Sequence, residues 1–233
     1  FGVRHIFYTV GSVISLISFY IFIKIEQDNI ELLRETIFNH SLVAVLITSI
    51  LIIFSVFKLK ERSDYSNRKM KNPYGAYKDV WKNPHARLLI IATFIEHIGS
   101  AAIAVLTIYI AQYIVGAPQW AAFFILCYMI PSALSVPLWI PLSRKLGKVR
   151  LWVLSMILSG ISFGSFFFLL FIEDVFAKII YVCIAAFFAG LANGCGSTVA
   201  PSVQADIIDY DEYQTGERKE GSYFAAWSFI YKA

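Results

Sequence analysis

Long apolar runs alternate with shorter polar segments along most of the chain. Six runs approach or exceed the roughly 20 residues that a bilayer-spanning helix needs, and they cover residues 6–23, 42–57, 88–115, 120–140, 151–172 and 177–200. A seventh begins near Ser222. Their length, and the helical period in place of a two-residue alternation, favour helices over the strands of a membrane barrel. The pattern predicts an all-α membrane protein with six complete transmembrane helices and the start of a seventh.

The composition agrees with a protein that lies in a bilayer. Hydrophobic residues make up 58% of the 233 residues and charged residues 15%, which leaves too little polar surface to cover a water-soluble globule. The three cysteines all lie in apolar runs, so we interpret them as packing residues and not as a disulfide framework. No metal-ligand spacing connects the four histidines, His5, His40, His85 and His97. We therefore predict neither an enzyme nor a resident metal or cofactor.

Basic residues are concentrated in every second loop. Sixteen of the 20 Lys and Arg residues lie at Arg4, from Lys58 to Arg87, from Arg144 to Arg150, and at Arg218 and Lys219. The positive-inside rule places these segments in the cytoplasm. The net charge of +4 then reflects topology, and we expect membrane lipid and a small molecule, but no nucleic acid, as partners. The expected location is the cell membrane, as a multi-pass protein, which in a bacterium is the inner membrane.

A long hydrophilic segment, residues 58–87, separates the first two predicted helices from the others. It contains the turn signals Asn72-Pro73 and Asn83-Pro84. One interpretation is an ordinary basic loop of a polytopic protein. The other is a tether between two halves of a transporter that rock against each other.

Two ionisable residues lie inside the predicted spans, where a charge costs several kcal/mol unless it is paired or hydrated. Glu96 lies about eight residues into the third span, with His97 beside it, and Lys232 about ten residues into the last. Glu96 is either a carboxyl held neutral or hydrogen-bonded to a neighbouring helix, or a coupling group that gains and loses a proton or cation. Lys232 is either paired with an aspartate of another helix or part of the same coupling.

Small and polar residues in the spans predict close helix packing. Gly160 and Gly164, and likewise Gly190 and Gly194, have the four-residue spacing that lets backbones approach in lipid. Asn193 either lines a cavity or bonds to another helix. Three prolines predict kinks in the fourth span: Pro131, Pro137 and Pro141.

The sixth span is followed by the charged stretch DIIDYDEYQTGERKEG, residues 206–221. If the helix continues, Asp206 and Asp209 share one face and meet the basic turn 144–150. This stretch is either a solvated acidic loop or a reversible latch of exposed ion pairs, each of which contributes only ~0 to 1 kcal/mol.

This stretch resembles a known family. The pattern A-D-x-x-D-Y-x-E-[YF]-x4-R-x-E, with a lysine twelve residues later in an apolar helix, is similar to the loop between helices 10 and 11 of the glycoside-pentoside-hexuronide:cation symporters. These form the melibiose permease-like branch of the major facilitator superfamily. In this chain the positions are Ala205, Asp206, Asp209, Tyr210, Glu212, Tyr213, Arg218, Glu220 and Lys232. The turn PLSRKLGKVR also agrees with the short basic turn of that superfamily.

The resemblance implies a partial major facilitator superfamily helical bundle, from about helix 5 to the start of helix 11. Residues 1–57 would then be the last two helices of the N-terminal half, and residues 58–87 the cytoplasmic central loop. Residues 88–233 would be the C-terminal half, truncated in its fifth helix.

The resemblance also implies a cytoplasmic gate of ion pairs. Its members would be Asp206, Asp209, Glu212 and Arg218, with Arg150 as a further partner.

Two residues are implied at the substrate site. Lys232 would lie near both substrate and cation, and Arg4 would contact substrate. The resemblance assigns no counterpart to Glu96, which is a coupling candidate because of its position in the third span. Ser197 stands where melibiose permease has a sugar-stacking tryptophan, which argues against a galactoside pocket of that type.

The function that the resemblance implies is a symporter of sugars or glycosides, coupled to Na⁺ or H⁺, that works by alternating access. The alternative is the same fold and coupling with another substrate, such as a lysolipid. A channel or a lipid flippase would instead show flux without a coupling ion.

Overall fold

The computed structural model describes residues 2–25, 30–59, 73–217 and 219–232. Within these ranges, the side chains of residues 2–4, 19–25, 30, 33, 73–76, 79, 231 and 232 lie outside the description. The described secondary structure is helical and contains no strand. The predicted all-α fold is therefore confirmed.

Helices account for almost all of the described chain. In chain order they are α1 (Gly2–Ile25), α2 (Ile30–Lys58), α3 (Pro73–Lys82), α4 (Pro84–Tyr109), α5 (Ala121–Leu134), α6 (Val136–Leu146), α7 (Lys148–Gly164), α8 (Val175–Thr215) and α9 (Glu220–Lys232). A π-helical turn, Ile110–Val115, extends α4, and a 3₁₀ segment, Ser165–Phe171, extends α7.

Several of these helices are long and apolar enough to cross a bilayer. Within the described residues, four segments meet that standard: Arg34–Lys58, Pro84–Val115, Lys148–Phe171 and Val175–Thr215. The bent pair of α5 and α6 makes a fifth if it is a single span. Helix α1 spans 24 residues, of which His5–Ser18 form the apolar stretch with described side chains.

The break between α5 and α6 has a backbone cause. The two helix axes differ by 53° on either side of Ser135, and Pro137 lies in the first turn of α6. Proline has no N–H to donate and its ring clashes with the carbonyl four residues earlier, which bends a helix at this point. The kink predicted from Pro137 is confirmed, whereas Pro131 and Pro141 lie inside α5 and α6.

The segment interpreted as a loop, residues 58–87, contains more helix than its turn signals suggested. Pro73 and Pro84 each begin a helix, and proline suits the first helical position because its missing N–H would have no partner there. The Asn83 side chain caps α4 by accepting from the backbone N–H groups of His85 and Ala86, at 3.0 and 3.4 Å. Residues 60–72 lie outside the described part of the chain.

The chain divides into two compact units, Phe1–Val13 with Asn72–Ala233, and Ile14–Lys71. The smaller unit contains the rest of α1 and α2, and every residue from 41 to 59 in it is exposed. The larger unit holds all of the functional candidates described below. The division into residues 1–57, 58–87 and 88–233 stays a prediction.

Helix α8 is the centre of the larger unit and packs closely on α5. A Cβ on Gly190 would clash with the carbonyl oxygen of Tyr128, and one on Gly194 with Ser135 Oγ and the carbonyl oxygen of Ser132. The close approach predicted at Gly190 and Gly194 is confirmed.

The matching prediction for Gly160 and Gly164 is wrong. No described atom lies within 4 Å of a Cβ built on either glycine. The spacing allows a close approach but does not show which helix surface has a neighbour.

Helix α9 is fixed against the start of α4. The Asn83 Nδ2 donates to the Tyr223 hydroxyl at 3.0 Å, and Tyr223 and Trp227 are fully buried. They belong to an apolar cluster that also contains Leu89 of α4 and Trp152 of α7. The candidate residue Lys232 lies nine positions after Tyr223 on the same helix.

Candidate functional site

A cavity of about 500 Å³ lies inside the larger unit, among the N-terminal part of α1, helices α4, α5 and α7, and α8. Its aromatic lining consists of Tyr8, Phe124, Tyr128, Phe163 and Phe166. Its polar lining includes His5, Thr9, His97, Ser100, Thr107, Ser132 and Asn193. Aromatic surface with a few convergent polar groups is typical of a small-molecule site, and the volume is in the usual range.

Three of the polar lining residues form a connected network. The Asn193 Nδ2 donates to Ser132 Oγ at 2.8 Å, and His5 Nε2 lies 2.9 Å from the same oxygen. Ser132 is 1% exposed and joins α1, α5 and α8 at one atom. The Asn193 amide oxygen makes no hydrogen bond among the described residues, so it keeps an acceptor for a ligand in the cavity.

His97 is held on the α4 side of the cavity. Its Nδ1 lies 2.9 Å from the Thr93 carbonyl oxygen, one turn earlier in α4. This contact fixes the plane of the ring, which lines the cavity.

Sequence reasoning gave His5 and His97 no cavity role and left Asn193 open between two roles. The pair His5 and Ser132 is separated by 127 positions, so no local pattern could have joined them. The sequence signal that could have indicated these cavity residues was the presence of the polar residues Ser132 and Asn193 within apolar runs.

The structure describes the three candidate residues Glu96, Arg4 and Lys232 to different extents. Glu96 is half-buried on α4, directly before His97, and does not line the cavity. Arg4 lies in the first turn of α1, directly before His5, and Lys232 is the last residue of α9. The side chains of Arg4 and Lys232 lie outside the described part, so their substrate and coupling roles stay predictions.

Near the C-terminal end of α8, one gate candidate, Asp206, contacts the basic turn 144–150. The Lys148 Nζ donates to both carboxylate oxygens of Asp206 at 2.7 Å. The predicted partner Arg150 is exposed, as is Asp209, and Glu212 is half-buried. None of these three forms an ion pair among the described residues.

Arg218, the remaining member of the predicted gate, lies outside the described residues. The gate as a functional unit stays a prediction.

A buried ion pair lies close by and was missed from the sequence. The Lys219 Nζ lies 3.8 Å from Asp211 Oδ2 and 3.7 Å from Glu217 Oε2. The Asp211 and Lys219 side chains are 9% and 5% exposed. The signal was the helical spacing of Gln204, Ile208 and Asp211, which continues the buried face of α8 towards its C-terminus.

The helices define a multi-pass membrane protein, and the cavity is its candidate site for a small molecule. The chain matches the family described as "MFS/sugar transport protein" over residues 1–233, and it belongs to that family. This membership confirms the resemblance to major facilitator sugar transporters and places the chain in a family of transporters and not of enzymes.

Two relatives share part of their sequence with the chain. Both are named "Putative sulfoquinovose importer". The protein from Escherichia coli strain K12 is 24% identical over 156 residues, which cover 66% of this chain and 32% of the relative. The protein from Salmonella typhimurium strain LT2 is 26% identical over 160 residues, which cover 66% and 31%. The chain thus aligns with about a third of the length of these curated relatives. No solved structure matches the chain.

Proposed function

We propose that this chain is part of a cation-coupled symporter that carries sugars or glycosides across the cell membrane by alternating access. The observation that carries the proposal is the cavity, because aromatic rings pack against the C–H faces of a sugar while hydroxyl, amide and imidazole groups bond to its hydroxyls. Family membership supports sugar as the substrate class.

The relatives' name suggests the first sugar to test. A sulfoquinovose carries a sulfonate, and histidine and tyrosine are the only ionisable side chains in the described cavity lining. This lining contains no carboxylate that would repel an anion. Arg4, directly before His5 on α1, is the proposed additional substrate contact, together with Lys232.

The coupling ion is Na⁺ or H⁺ in this proposal, with Glu96 and Lys232 as the coupling residues. A carboxylate in a membrane span is costly and is kept where it serves an ion or proton path. Coupling requires that ion and sugar together favour a conformation that neither favours as strongly alone.

The experiment that tests the proposal measures uptake of labelled sulfoquinovose and glucose by vesicles that contain the full-length protein, with sodium and proton gradients imposed separately. We expect accumulation that follows one of the two gradients. Asn193→Ala should lower sugar uptake at least about tenfold, because it removes the amide oxygen offered to the sugar and the Asn193 hydrogen bond that orients Ser132.

Gln112→Ala is the matched control, since Gln112 is an exposed span residue outside the cavity lining. Equal uptake by wild type and Asn193→Ala would contradict the cavity as the sugar site. Sugar flux that needs neither gradient would contradict symport and favour a channel.

A second substrate class is favoured by a separate observation. An apolar groove of about 990 Å³ runs between α5 with α6 and α8, and is lined by Phe123, Ile130, Leu134, Ile180 and Phe187, among others. A groove of this kind fits an acyl chain. Gradient-driven uptake of labelled lysolipid, with no uptake of sugar, would therefore favour a lysolipid as the substrate.

The proposed gate gives a prediction in which stability and conformation respond differently. Asp206→Asn should change the free energy of unfolding by less than about 1 kcal/mol, because the Lys148 and Asp206 side chains are 39% and 56% exposed. It should nevertheless shift the distribution of inward-open and outward-open states, measured by spin-label distances across the cytoplasmic side. The control is Glu173→Gln, which neutralises an exposed carboxylate at the other end of the bundle. Identical distributions in the wild type, Asp206→Asn and Glu173→Gln would exclude a gating role for Asp206.

A further inference from the structure

The hydroxyl of Ser132 lies between an imidazole and an amide in the cavity wall. Asn193 Nδ2 donates to Ser132 Oγ at 2.8 Å, and His5 Nε2 lies 2.9 Å from the same oxygen. Both distances are those of ordinary hydrogen bonds. The side chains of His5, Ser132 and Asn193 thus form a hydrogen-bond relay that runs from α1 through α5 to α8.

The protonation of His5 sets the direction of the hydrogen bonds in this relay. Ser132 is 1% exposed, and apart from His5 no described group accepts from its hydroxyl. A buried hydroxyl needs an acceptor, and Nε2 of a neutral imidazole is one when the ring proton is on Nδ1. The arrangement in which Asn193 donates to Ser132 and Ser132 donates to His5 therefore belongs to neutral His5.

A proton on His5 reverses the relay. Both ring nitrogens of an imidazolium are donors, so Nε2 then donates to Ser132 Oγ and the Ser132 hydroxyl needs another acceptor. The Asn193 amide supplies it when its terminal group rotates so that oxygen and nitrogen exchange places, because the two atoms are nearly equal in size. All three side chains keep their hydrogen bonds in both states, so the reversal needs no repacking of the helices.

The reversal changes what the cavity offers to a ligand. With neutral His5, Ser132 accepts from Asn193 Nδ2, and the amide oxygen is left for the cavity that Asn193 lines. With protonated His5, the amide oxygen is used and the amide N–H groups are left. A sugar hydroxyl can bond to either, because it both donates and accepts. A sulfonate or carboxylate only accepts, so it can bond to Asn193 only in the protonated state.

The other titratable groups of the cavity come from three helices. In the described lining they are Tyr8 of α1, His97 of α4 and Tyr128 of α5, whereas α7 and α8 contribute none. Glu96, directly before His97, does not line the cavity. Histidine is the side chain that ordinarily changes its charge near neutral pH, so His97 is the group whose titration must be separated from that of His5.

We propose that His5, Ser132 and Asn193 form a proton-controlled switch that sets whether the cavity presents an acceptor or a donor, and that its protonated state selects sugars with an anionic acceptor group. The inference rests on the proposed sugar transport and adds a determinant of substrate class to it. It concerns the affinity for sugar, and Glu96 and Lys232 keep their proposed coupling roles. Because linkage is reciprocal, an anionic sugar in the cavity would also make His5 bind its proton more tightly.

The test measures the dissociation constants of sulfoquinovose and glucose for the purified full-length protein between about pH 5 and pH 8. The sulfonate stays ionised and glucose stays uncharged in this range, so a change in their ratio comes from the protein. We expect the preference for sulfoquinovose to increase about 10- to 100-fold towards acidic pH, the usual range for a hydrogen bond to a charged group. His5→Gln should abolish this increase, because a glutamine amide can take the place of Nε2 but does not titrate.

Ser132→Ala separates the relay from the charge of His5 alone. This variant keeps an imidazole that titrates but removes the oxygen that connects it to Asn193. The charge of His5 still attracts the sulfonate, whereas the orientation of the Asn193 amide no longer depends on it. The pH-dependent increase in preference should therefore be smaller than in the wild type by at least about fivefold, the contribution of one hydrogen bond.

Two further histidine variants complete the test. His85→Gln is the matched control, because His85 is an exposed imidazole outside the cavity lining that contacts the Tyr210 ring. It should keep the wild-type increase. His97→Gln removes the other cavity imidazole, whose Nδ1 lies against the Thr93 carbonyl oxygen, and it should keep the increase whatever its effect on the two dissociation constants.

The outcomes separate this inference from the function on which it rests. If the wild type binds and transports sugar but its preference does not increase towards acidic pH, the switch is wrong and the transport proposal stands. The switch is also wrong if the increase persists in His5→Gln, is unchanged in Ser132→Ala or disappears in His97→Gln. If the wild type binds and transports no sugar at any pH, the transport proposal and the switch fail together.

Discussion

Lys219→Met should lower the free energy of unfolding of the full-length protein by about 3–5 kcal/mol, because it leaves the buried Asp211 carboxylate without its cation. Asp211 and Lys219 are both nearly inaccessible, with side chains 9% and 5% exposed. Asp211 Oδ2 also has no hydrogen bond that could replace the ion pair. The measurement is denaturant or thermal unfolding of the purified protein in detergent.

Two further variants separate lost charge from lost packing. Asp211→Asn combined with Lys219→Met removes both charges and should recover most of the loss, since replacing a buried pair is far less costly than breaking it. Lys148→Met breaks the exposed pair with Asp206 and should cost no more than about 1 kcal/mol. If Lys219→Met and Lys148→Met lowered the free energy of unfolding equally, the burial of the Asp211–Lys219 pair would not contribute to stability.

Gly190→Ala and Gly194→Ala should each destabilise the protein by about 1–3 kcal/mol, and the two together by more. The added methyl groups would overlap backbone carbonyl oxygens of α5, at Tyr128 and at Ser132. A backbone atom cannot rotate away as a side chain can, so α8 would have to move away from α5. Unfolding of the purified variants is again the measurement.

The control for this prediction has the same spacing on another helix. Gly160→Ala and Gly164→Ala on α7 meet no described atom within 4 Å. They should be neutral or stabilise by up to about 1 kcal/mol, because alanine has the higher helix propensity. Similar losses at both pairs would mean that the α5–α8 contact is no tighter than the surface of α7.

The spans were predictable because the bilayer imposes a length and a polarity on each of them. Where a sequence pattern is compatible with two structures, the sequence did not show which of the two forms. Asn83-Pro84 marks a turn in many chains but here caps and begins α4. The paired glycines of α7 and α8 have the same spacing, and only the fold shows that Gly190 and Gly194 face a neighbouring backbone.

The sequence predicted only those parts of the candidate site that a single residue makes conspicuous, and not the contacts that depend on the fold. Asn193 was named as a possible lining residue and lines the cavity. Glu96 was singled out because a carboxylate in an apolar run is conspicuous in any chain, but it does not line the cavity. The acidic stretch was also identified, but Asp206, Asp209 and Glu212 were preferred to the buried Asp211, since burial follows from the phase of α8 relative to its neighbours. The network of His5, Ser132 and Asn193 depends on three helices meeting and leaves no local trace.

Helix α8 has 41 residues and is thus about 62 Å long, roughly twice the hydrocarbon thickness of a bilayer. In the proposed transport cycle it would act as a lever arm, with Asn193 at the cavity and Asp206 about 20 Å further along the same helix. A tilt of about 10° around the cavity would displace Asp206 by ~3.5 Å, more than the 2.7 Å that joins it to Lys148. Pro201 lies between the two positions and removes one backbone hydrogen bond there, so the stiffness of this one turn would set how much of a movement at the cavity reaches the contact between Asp206 and Lys148.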